Sequence, residues 1–386
     1  MLYMGKSNKI NVGLVGTGFI AEGFVNLAKT LDDIEVISVL TRRPVSSLGK
    51  AFSDVNVCNN IENFLNHHID CVVECSGDPI YATEVIGRIF EDDIPVITMD
   101  AELQIVSGSW LSQRGVISEA EGDQPGSLAA LAEEVRSMGF QPVVYGNIKG
   151  FLNNKPTIQD MNLWSKKQGI SLDKVTSFTD GTKIQIEQAL VANGLNADII
   201  KDGMLGLTAD TLEQGVSKMS KYIESIDRQV SDYLLSPKLP AGVFIFAKHD
   251  VCQSRFLKYY KMGNGPWYIF LRPFHLCHLE IPKTIRRIMR GNGVLLNNSS
   301  IPTIQVYGIA KRDIAKGEKI DRAAGSFTIR GEAMPIKVNK DKVPIGLIAN
   351  ATFKRDIKEG EIISFDDVKI PKSLARTAWE DTLKCL

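Results

Sequence analysis

The chain has 386 residues, more than one average hydrophobic core accommodates, so two or three domains are expected. Lys plus Arg and Asp plus Glu both number 45, and this zero net charge argues against a general nucleic-acid-binding protein, which carries a basic excess. No apolar run reaches the ~18 residues of a membrane-spanning helix, the start lacks the pattern of a secretory signal, and six scattered cysteines form no disulfide framework. We therefore expect a cytoplasmic protein with no membrane partner and no nucleic-acid partner.

A glycine motif opens the first domain. Residues 10–16, INVGLVG, form an apolar run typical of a buried parallel strand, and the residues after the motif are apolar at helical intervals. Gly16 permits a tight turn, Gly18 lets the backbone approach a pyrophosphate, and Ala21 lets helix and strand pack closely. The alternative is a glycine turn that binds nothing. The motif predicts cofactor contacts, with the pyrophosphate on the helix N-terminus, from Gly16, Gly18, Phe19, Ile20 and Ala21.

The end of the next predicted strand, IEVISVL, indicates which dinucleotide binds. An NAD-preferring site usually has a carboxylate there, which binds the ribose 2′-hydroxyl. This chain has Thr41, Arg42 and Arg43 instead. Arginine pairs bidentately with phosphate oxygens, so these residues suit a 2′-phosphate. We expect NADP(H) rather than NAD(H), the alternative being a solvated basic turn.

Two later apolar runs, residues 71–77 and 95–103, predict further strands of a Rossmann-type, doubly wound parallel sheet. Ligands of such sheets bind outside the carboxyl ends of the strands, so we expect the nicotinamide above these two ends. Helix-cap and turn chemistry is the competing interpretation for Asp78 and Asp100. The residues predicted to lie next to cofactor or substrate are Ser76, Gly77, Asp100, Ala101 and Glu102.

The middle of the chain supplies the candidate catalytic residues. Two loops, EGDQPG and GNIKG, carry polar side chains suited to substrate contacts: Asp123, Gln124, Asn147 and Lys149. In the predicted helix after SFTDGTK, Lys183 and Glu187 are four residues apart and share a face. A lysine can protonate or polarise a carbonyl oxygen, and a carboxylate can hold a hydroxyl or relay a proton. The alternative is an ion pair facing solvent.

The aromatic stretch 259–282 holds His275 and His278. Two histidines at this spacing hint at a metal ion, but no third ligand lies nearby in the sequence. Structural or substrate-contacting histidines are the favoured interpretation, and a requirement for a divalent metal stays open.

The C-terminal part contains a pseudo-repeat. KRDIAKGEKID at 311–321 is echoed by KRDIKEGEIIS at 354–364, among short β-like runs separated by Gly, Pro and charged turns. Two copies are too few for a solenoid, which needs at least three. The residues by themselves predict one small β unit of unassigned function.

These motifs together resemble the homoserine-dehydrogenase-like oxidoreductases with a C-terminal SAF domain, among them the 1-deoxy-D-xylulose 5-phosphate reductoisomerase-like (DRL) family. The resemblance rests on EGDQPG, GNIKG, SFTDGTK, GPWYIFLRPFHLCHLE and the two KRDI segments. It implies an α/β fold with a Rossmann domain, an α+β substrate and oligomerisation domain and an SAF-like β module. The predicted boundaries are 1–150, 151–302 and 303–371, followed by a tail at 372–386.

The resemblance also implies a homo-oligomer that reduces a small polyhydroxylated carbonyl compound with NADPH, sometimes with rearrangement of the carbon skeleton. Lys183 is then the acid or electrostatic stabiliser, Asp180 orients it, and Lys149 binds a phosphate or carboxylate of the substrate. Asp123 and His275 are further active-site candidates. The alternatives are a DRL-like reductoisomerase of a sugar phosphate and a non-catalytic NADP-binding sensor or assembly subunit.

Overall fold

The computed structural model describes residues 9–224, 226 and 228–386. Residues 1–8 lie outside the described residues. They belong to the N-terminal segment from which we expected no secretory signal. None of the described helices is both long and apolar enough to cross a membrane.

The first domain is a parallel sheet with helices on both sides. Its strands are β1 Ile10–Val15, β2 Ile34–Leu40, β3 Asn56–Cys58, β4 Cys71–Glu74, β5 Val96–Thr98 and β6 Ile117–Glu119. Its helices are α1 Phe19–Ala28, α2 Ile61–Leu65, α3 Pro79–Ile89, α4 Ala101–Leu103 and α5 Ser109–Leu111, the last two joined by the π-helical turn Gln104–Gly108. The strand order is β3-β2-β1-β4-β5-β6, and all pairs are parallel. This confirms the doubly wound Rossmann-type sheet.

The register of this sheet brings polar residues together at its carboxyl edge. Glu74 of β4 pairs with Thr98 of β5, which in turn pairs with Glu119 of β6. Residues at one register position of neighbouring strands project to the same face. All three are completely buried, so a row of polar side chains crosses three strands inside the protein.

The second domain is a mixed sheet covered by helices. Its elements are α6 Gln124–Ser137, β7 Gln141–Lys149, α7 Ile158–Gln168, α8 Leu172–Thr179, α9 Thr182–Gly194, β8 Leu207–Thr208, α10 Leu212–Ile223, β9 Val230–Leu235, β10 Val243–Lys248, α11 Ser254–Tyr259, β11 Tyr268–Arg272 and α12 Ile281–Met289. The sheet order is β11-β10-β7-β9-β8, with β10 antiparallel to both neighbours. Strand β7 belongs to this sheet, so the boundary expected at residue 150 falls after a strand of the second domain.

The C-terminal module consists of short antiparallel strands. They are β12 Ile304–Ala310, β13 Lys319–Arg322, β14 Ile329–Pro335, β15 Ala349–Phe353 and β16 Val368–Lys369, and helix α13 Leu374–Lys384 follows. The two copies of the pseudo-repeat pair with each other, because the amides of Ile314 and Ile357 each donate to the other's carbonyl at 2.9 Å. Each copy also holds the same internal ion pair, Arg312 with Glu318 and Arg355 with Glu361. The module therefore has an approximate internal two-fold relation.

The expected C-terminal tail is instead a packed helix. Ala375, Ala378 and Trp379 of α13 are buried against α3 and the π-helical turn of the first domain. The Trp110 indole also donates to Asp381 at 3.3 Å. The spacing of these apolar residues is that of one helix face, which is why the segment folds back rather than trailing into solvent.

Candidate active site

The glycine turn between β1 and α1 has the geometry that a pyrophosphate requires. Gly16 has φ of 111°, and a Cβ there would lie 2.8 Å from the Cys75 carbonyl oxygen, so no other residue fits. Gly18 is the N-cap of α1, with no side chain capping the helix, and a Cβ there would meet nothing within 4 Å. Open space above an uncapped helix N-terminus suits an anion. The expected contacts Phe19, Ile20 and Ala21 form the first turn of this helix.

The end of β2 places its three polar residues differently from one another. Thr41 is buried, and its hydroxyl hydrogen-bonds with that of Thr17 at 2.9 Å. Arg43 donates to the Thr17 carbonyl at 3.1 Å, which keeps it beside the glycine turn. Arg42 lies over the Tyr81 ring and pairs with Asp78 at 2.7 Å. A 2′-phosphate would therefore compete with Asp78 for Arg42.

The carboxyl ends of β4 and β5 are closed by helix caps. Asp78 Oδ1 accepts from the amides at the start of α3, and Asp100 Oδ1 accepts from those of Glu102 and Leu103. The cap interpretation is therefore correct for one oxygen of each carboxylate. Asp100 Oδ2 is buried without a hydrogen-bond partner. Ala101 is buried in the first turn of α4.

Two further expected cofactor contacts sit at the turn after β4. The Ser76 amide donates to Glu74 Oε1 at 2.6 Å, and Gly77 has φ of 66°. A Cβ at Gly77 would lie 2.9 Å from Lys174 Nζ, which brings a cation of α8 to this turn. The sequence analysis did not single out Lys174.

Glu102 faces the C-terminal module. Its Oε2 accepts from Arg322 of β13 at 2.9 Å, and its side chain is one-tenth exposed. Arg42, Tyr81, Glu102 and Arg322 line a cleft of about 460 Å³ between the two domains. Glu102, which was expected to contact the cofactor, is therefore paired with Arg322, and no local sequence pattern predicts this pairing.

The candidate catalytic lysines meet around two carboxylates. Lys183 Nζ lies 3.1 Å from Asp123 Oδ2 and 3.4 Å from Glu187 Oε1. Lys149 Nζ lies 3.7 Å from Glu187 Oε2, to which Asn147 also donates at 3.1 Å. Glu187 is completely buried, and Lys183 retains 23 % side-chain exposure. The cluster is therefore not a solvent-facing ion pair, and the loops EGDQPG and GNIKG converge on one face of α9.

Gln124 connects this cluster to His275. With its amide nitrogen directed at the carboxylates, Gln124 donates to Asp123 Oδ1 at 2.9 Å and to Glu187 Oε1 at 2.8 Å. Its oxygen then accepts from His275 Nε2 at 3.2 Å. His275 thus lies one hydrogen bond from the cluster.

His278 packs on α1, where a Cβ at Gly23 would lie 2.7 Å from its ring. The segment 275–280 therefore spans from the candidate catalytic cluster to the dinucleotide turn. Among the described residues, no group of three or more His, Cys, Asp or Glu side chains is arranged to hold a metal ion.

Asp180 does not contact Lys183. Its Oδ2 accepts from Lys311 of the C-terminal module at 2.6 Å, and its Oδ1 accepts from the Thr182 amide at 2.9 Å. Both side chains of the Asp180–Lys311 pair are almost fully buried. The residue expected to orient Lys183 directly instead joins the start of α9 to the C-terminal module.

Backbone amides of β14 extend this junction along α9. Gly331 donates to the Thr182 hydroxyl and Ala333 to the Gln185 side-chain oxygen, both at 2.9 Å. Helix α9, which carries Lys183 and Glu187, is therefore held in place by hydrogen bonds from the C-terminal module.

Electrostatics hold Lys183 charged. Burial disfavours its charged form, but Asp123, Glu187 and Glu119 together raise its pKa above the usual range of a lysine. Burial raises the pKa of Glu74 to about 7, and the Asp100 carboxylate adds to that shift. Lys183 therefore stays charged near neutral pH, whereas the nearby carboxyl group of Glu74 is partly protonated there.

The sequence analysis missed Glu74, Thr98, Glu119 and Lys311. Glu74 and Glu119 are each the last residue of an apolar strand, CVVE and ISE. A carboxylate at the carboxyl end of a buried parallel strand is itself a signal, because ligands bind at that edge. No local signal distinguishes Lys311 from its counterpart in the other repeat copy.

Comparison with known families agrees with this architecture. Residues 122–281 match the family described as oxidoreductase DRL, catalytic domain, and residues 309–369 match the SAF domain. Comparison with curated proteins gives no significant match.

Several solved structures share the general fold. A myo-inositol dehydrogenase from Corynebacterium glutamicum is 9% identical over 74% of this chain and 90% of that chain, with a TM-score of 0.44. Homoserine dehydrogenase from S. aureus is 12% identical over 88% and 94%, with a TM-score of 0.42. Biliverdin reductase from Synechocystis sp. PCC 6803, in complex with biliverdin and NADP+, is 9% identical over 75% and 93%, with a TM-score of 0.42. Likenesses of this size say nothing about the substrate of this chain.

The motifs that carried the resemblance lie within the two matched segments or at their edges. Residues 122–281 of the chain are therefore similar to the catalytic domain of oxidoreductase DRL, and residues 309–369 are similar to the SAF domain.

Proposed function

We propose that this protein is an NADP(H)-dependent oxidoreductase that transfers hydride to a small hydroxylated carbonyl or carbohydrate-derived substrate. The observation that carries the proposal is the buried cluster of Lys183, Asp123, Glu187 and Lys149, joined through segment 275–280 to the dinucleotide turn. Reduction of a carbonyl group requires a cation that polarises the carbonyl oxygen and a bound dinucleotide that carries the hydride.

The residues of the first domain fit the cofactor. The turn Gly16–Ala21 would hold the pyrophosphate, and Thr41, Arg42 and Arg43 would lie at the 2′-phosphate. A bound nicotinamide supplies or accepts the hydride. Ser76 and Gly77 lie at the strand end over which such a ring is expected.

The chain's own side chains then act on the substrate. Lys183 polarises the carbonyl oxygen, stabilises negative charge on it and donates a proton to it. Asp123 and Glu187, 3.1 and 3.4 Å from Lys183, keep it charged and directed in this proposal. Lys149 offers a second positive charge for a phosphate or carboxylate of the substrate. His275 contacts the cluster through Gln124, and its proposed role is to bind a substrate hydroxyl.

Cofactor titration tests the first half of the proposal. Wild-type protein, titrated with NADPH and with NADH by nicotinamide fluorescence, should bind NADPH at least ~10-fold more tightly, a difference of ~1.4 kcal/mol. The double variant Arg42→Ala, Arg43→Ala should lose this preference. Arg376→Ala, which removes a partly exposed arginine of α13 paired with Glu380, should keep it. Equal affinity for both cofactors would refute the NADP preference. Binding of neither at millimolar concentration would refute the dinucleotide site.

Product analysis tests the second half. NADPH oxidation is followed with a panel of hydroxylated aldehydes, ketones, sugar acids and sugar phosphates. A simple alcohol as product supports reduction without rearrangement. A product with a rearranged carbon skeleton would show that the reaction is a reductoisomerisation instead. Absence of turnover with every substrate, despite tight NADPH binding, would favour a non-catalytic sensor.

A further inference from the structure

Glu119 is a buried acid without a partner. It ends β6, is completely buried, and neither of its carboxyl oxygens has a hydrogen-bond partner among the residues that the structure describes. A charged carboxylate at this position would lose its hydration without gaining a hydrogen bond or a counter-ion, which is strongly unfavourable. The group avoids that cost by holding a proton.

The titratable groups around Glu119 act in the same direction, with one exception. The carboxyl groups of Asp123 before α6, Asp100 after β5 and Glu74 of β4 raise its pKa, and the positive charge of Lys183 on α9 lowers it. Burial is the largest effect, and together these groups raise the pKa of Glu119 well above its usual range. Its register position beside Thr98 continues the row that begins at Glu74.

Lys183 has the opposite character. Its carboxylate neighbours raise its pKa, so it stays charged and attracts back any proton that it gives away. Reduction of a carbonyl group consumes one proton for each hydride, so the lysine must regain one in every turnover. Glu74 and Glu119 are the two buried acids of the sheet edge whose pKa is raised. Glu74 accepts hydrogen bonds from the Ser76 amide and the Thr98 hydroxyl, whereas Glu119 accepts none from the described residues, which makes Glu119 the candidate for that proton.

We infer that Glu119 is the proton store that recharges Lys183 during turnover, a role that rests on the proposed function. In the reduction, the carbonyl carbon gains hydride, a Lys183 N–H bond breaks and the substrate O–H bond forms. The Glu119 O–H bond then breaks and the lysine N–H bond re-forms, leaving a carboxylate that is reprotonated from solvent. Because Glu119 and Lys183 share no hydrogen bond, this transfer requires an intervening water molecule. Glu119 does not contact the substrate. It acts through Lys183 and is in that sense a positioning residue.

The test compares Glu119→Gln with Glu121→Gln. Glutamine keeps the volume and neutrality of a protonated Glu119, so the first variant should fold. Glu121, two residues further on, is paired with Arg272 and Lys283 at 2.8 Å and lies outside the proposed machinery. Infrared difference spectroscopy at neutral pH should show a protonated carboxyl band that Glu119→Gln removes and Glu121→Gln keeps. Glu74 adds its own band, so the assignment rests on the difference between wild type and variant.

Kinetics give the second readout. In wild type, kcat for reduction should decline as the pH rises through the pKa of Glu119. Glu119→Gln should lower kcat at least ~10-fold, leave KM within about twofold and abolish this alkaline decline. A merely structural role would not change the pH profile.

Three outcomes overturn the inference. They are a carboxyl band unchanged by Glu119→Gln, an unchanged kcat, and an unchanged alkaline decline. Titration of the carboxyl band in wild type tests the inference without any variant. Loss of the whole band near the usual pKa of a glutamate would refute the role of Glu119 as a proton store. If the band is present but no substrate is reduced, the proposed function fails and the turnover role fails with it, whereas the protonated state of Glu119 stands.

Discussion

Two groups of buried carboxylates lie within the active-site region, and they differ in whether a cation accompanies them. Asp123, Glu187 and Asp180 on the α6–α9 side each contact a lysine, at 3.1, 3.4 and 2.6 Å. Glu74 and Glu119 at the sheet edge are equally buried and have no cation within ion-pair distance among the described residues. Contact with a lysine therefore distinguishes the two groups of buried carboxylates.

This difference suits a reaction that moves a hydride and a proton. In the proposed reaction, Lys183 is already charged and in place when it polarises the substrate, which costs no reorganisation. Glu74, whose pKa is raised to about 7, can supply and recover protons near that pH, and the pKa of Glu119 is raised as well. The predictions below remove a cation, unpair a carboxylate, or neutralise an unpaired one.

Removing the central cation should have the largest effect. Lys183→Met should lower kcat by about 10³-fold, equivalent to ~4 kcal/mol, because the developing alkoxide loses its stabilising charge. Affinity for NADPH should stay within about twofold, since Lys183 lies outside the dinucleotide turn. The matched control is Lys238→Met, which removes an exposed lysine paired with Asp210. Equal turnover of Lys183→Met and wild type would exclude Lys183 from the mechanism.

Unpairing Asp180 should lower stability. Lys311→Met leaves a buried carboxylate without its cation and should reduce the free energy of unfolding by about 3 kcal/mol. Lys354 occupies the equivalent position of the second repeat copy, is exposed, and donates only to the Phe365 carbonyl. Lys354→Met should therefore change stability by less than ~0.5 kcal/mol. Equal losses for the two variants, in urea unfolding at pH 7, would contradict the distinct role of the first copy.

Neutralising Glu74 should change the pH dependence of stability by a smaller amount. Its pKa is raised in the folded protein to about 7, so the native state binds more protons than the unfolded state between pH 4.5 and 7. The free energy of unfolding should therefore fall as the pH rises through this window, by roughly 1–3 kcal/mol from this group. Glu74→Gln should flatten the curve in urea unfolding from pH 4 to 8. A curve of unchanged slope would show that Glu74 is already ionised in the folded protein.

Much of the fold could be predicted from local pattern. The apolar run, glycine spacing and helical periodicity of residues 10–31 specify β1, its turn and α1, since each feature acts over a few residues. The resemblance likewise located the loops that meet at α9. The position of β7 in the second sheet could not be predicted, because strand pairing depends on distant partners such as β10.

The site was predictable where residues act within one motif and not where they act across domains. Lys183 and Glu187 share a helix face, so their spacing indicated their contact. Asp180 was expected to orient Lys183, but its partner Lys311 lies 131 residues away in another module. Glu119 carries no local signal except its position at a strand end, and its protonation follows from burial, which only the folded structure shows.

The measurement that tests the proposed reaction most directly follows the hydride itself. Wild-type protein is incubated with NADPH deuterated at C4 of the nicotinamide and a panel of hydroxylated carbonyl compounds, and the products are examined by mass spectrometry. The account predicts one deuterium on the former carbonyl carbon of a product, and none above background with Lys183→Met. Tight binding of NADPH without deuterium in any product, from either face of the nicotinamide, would contradict it.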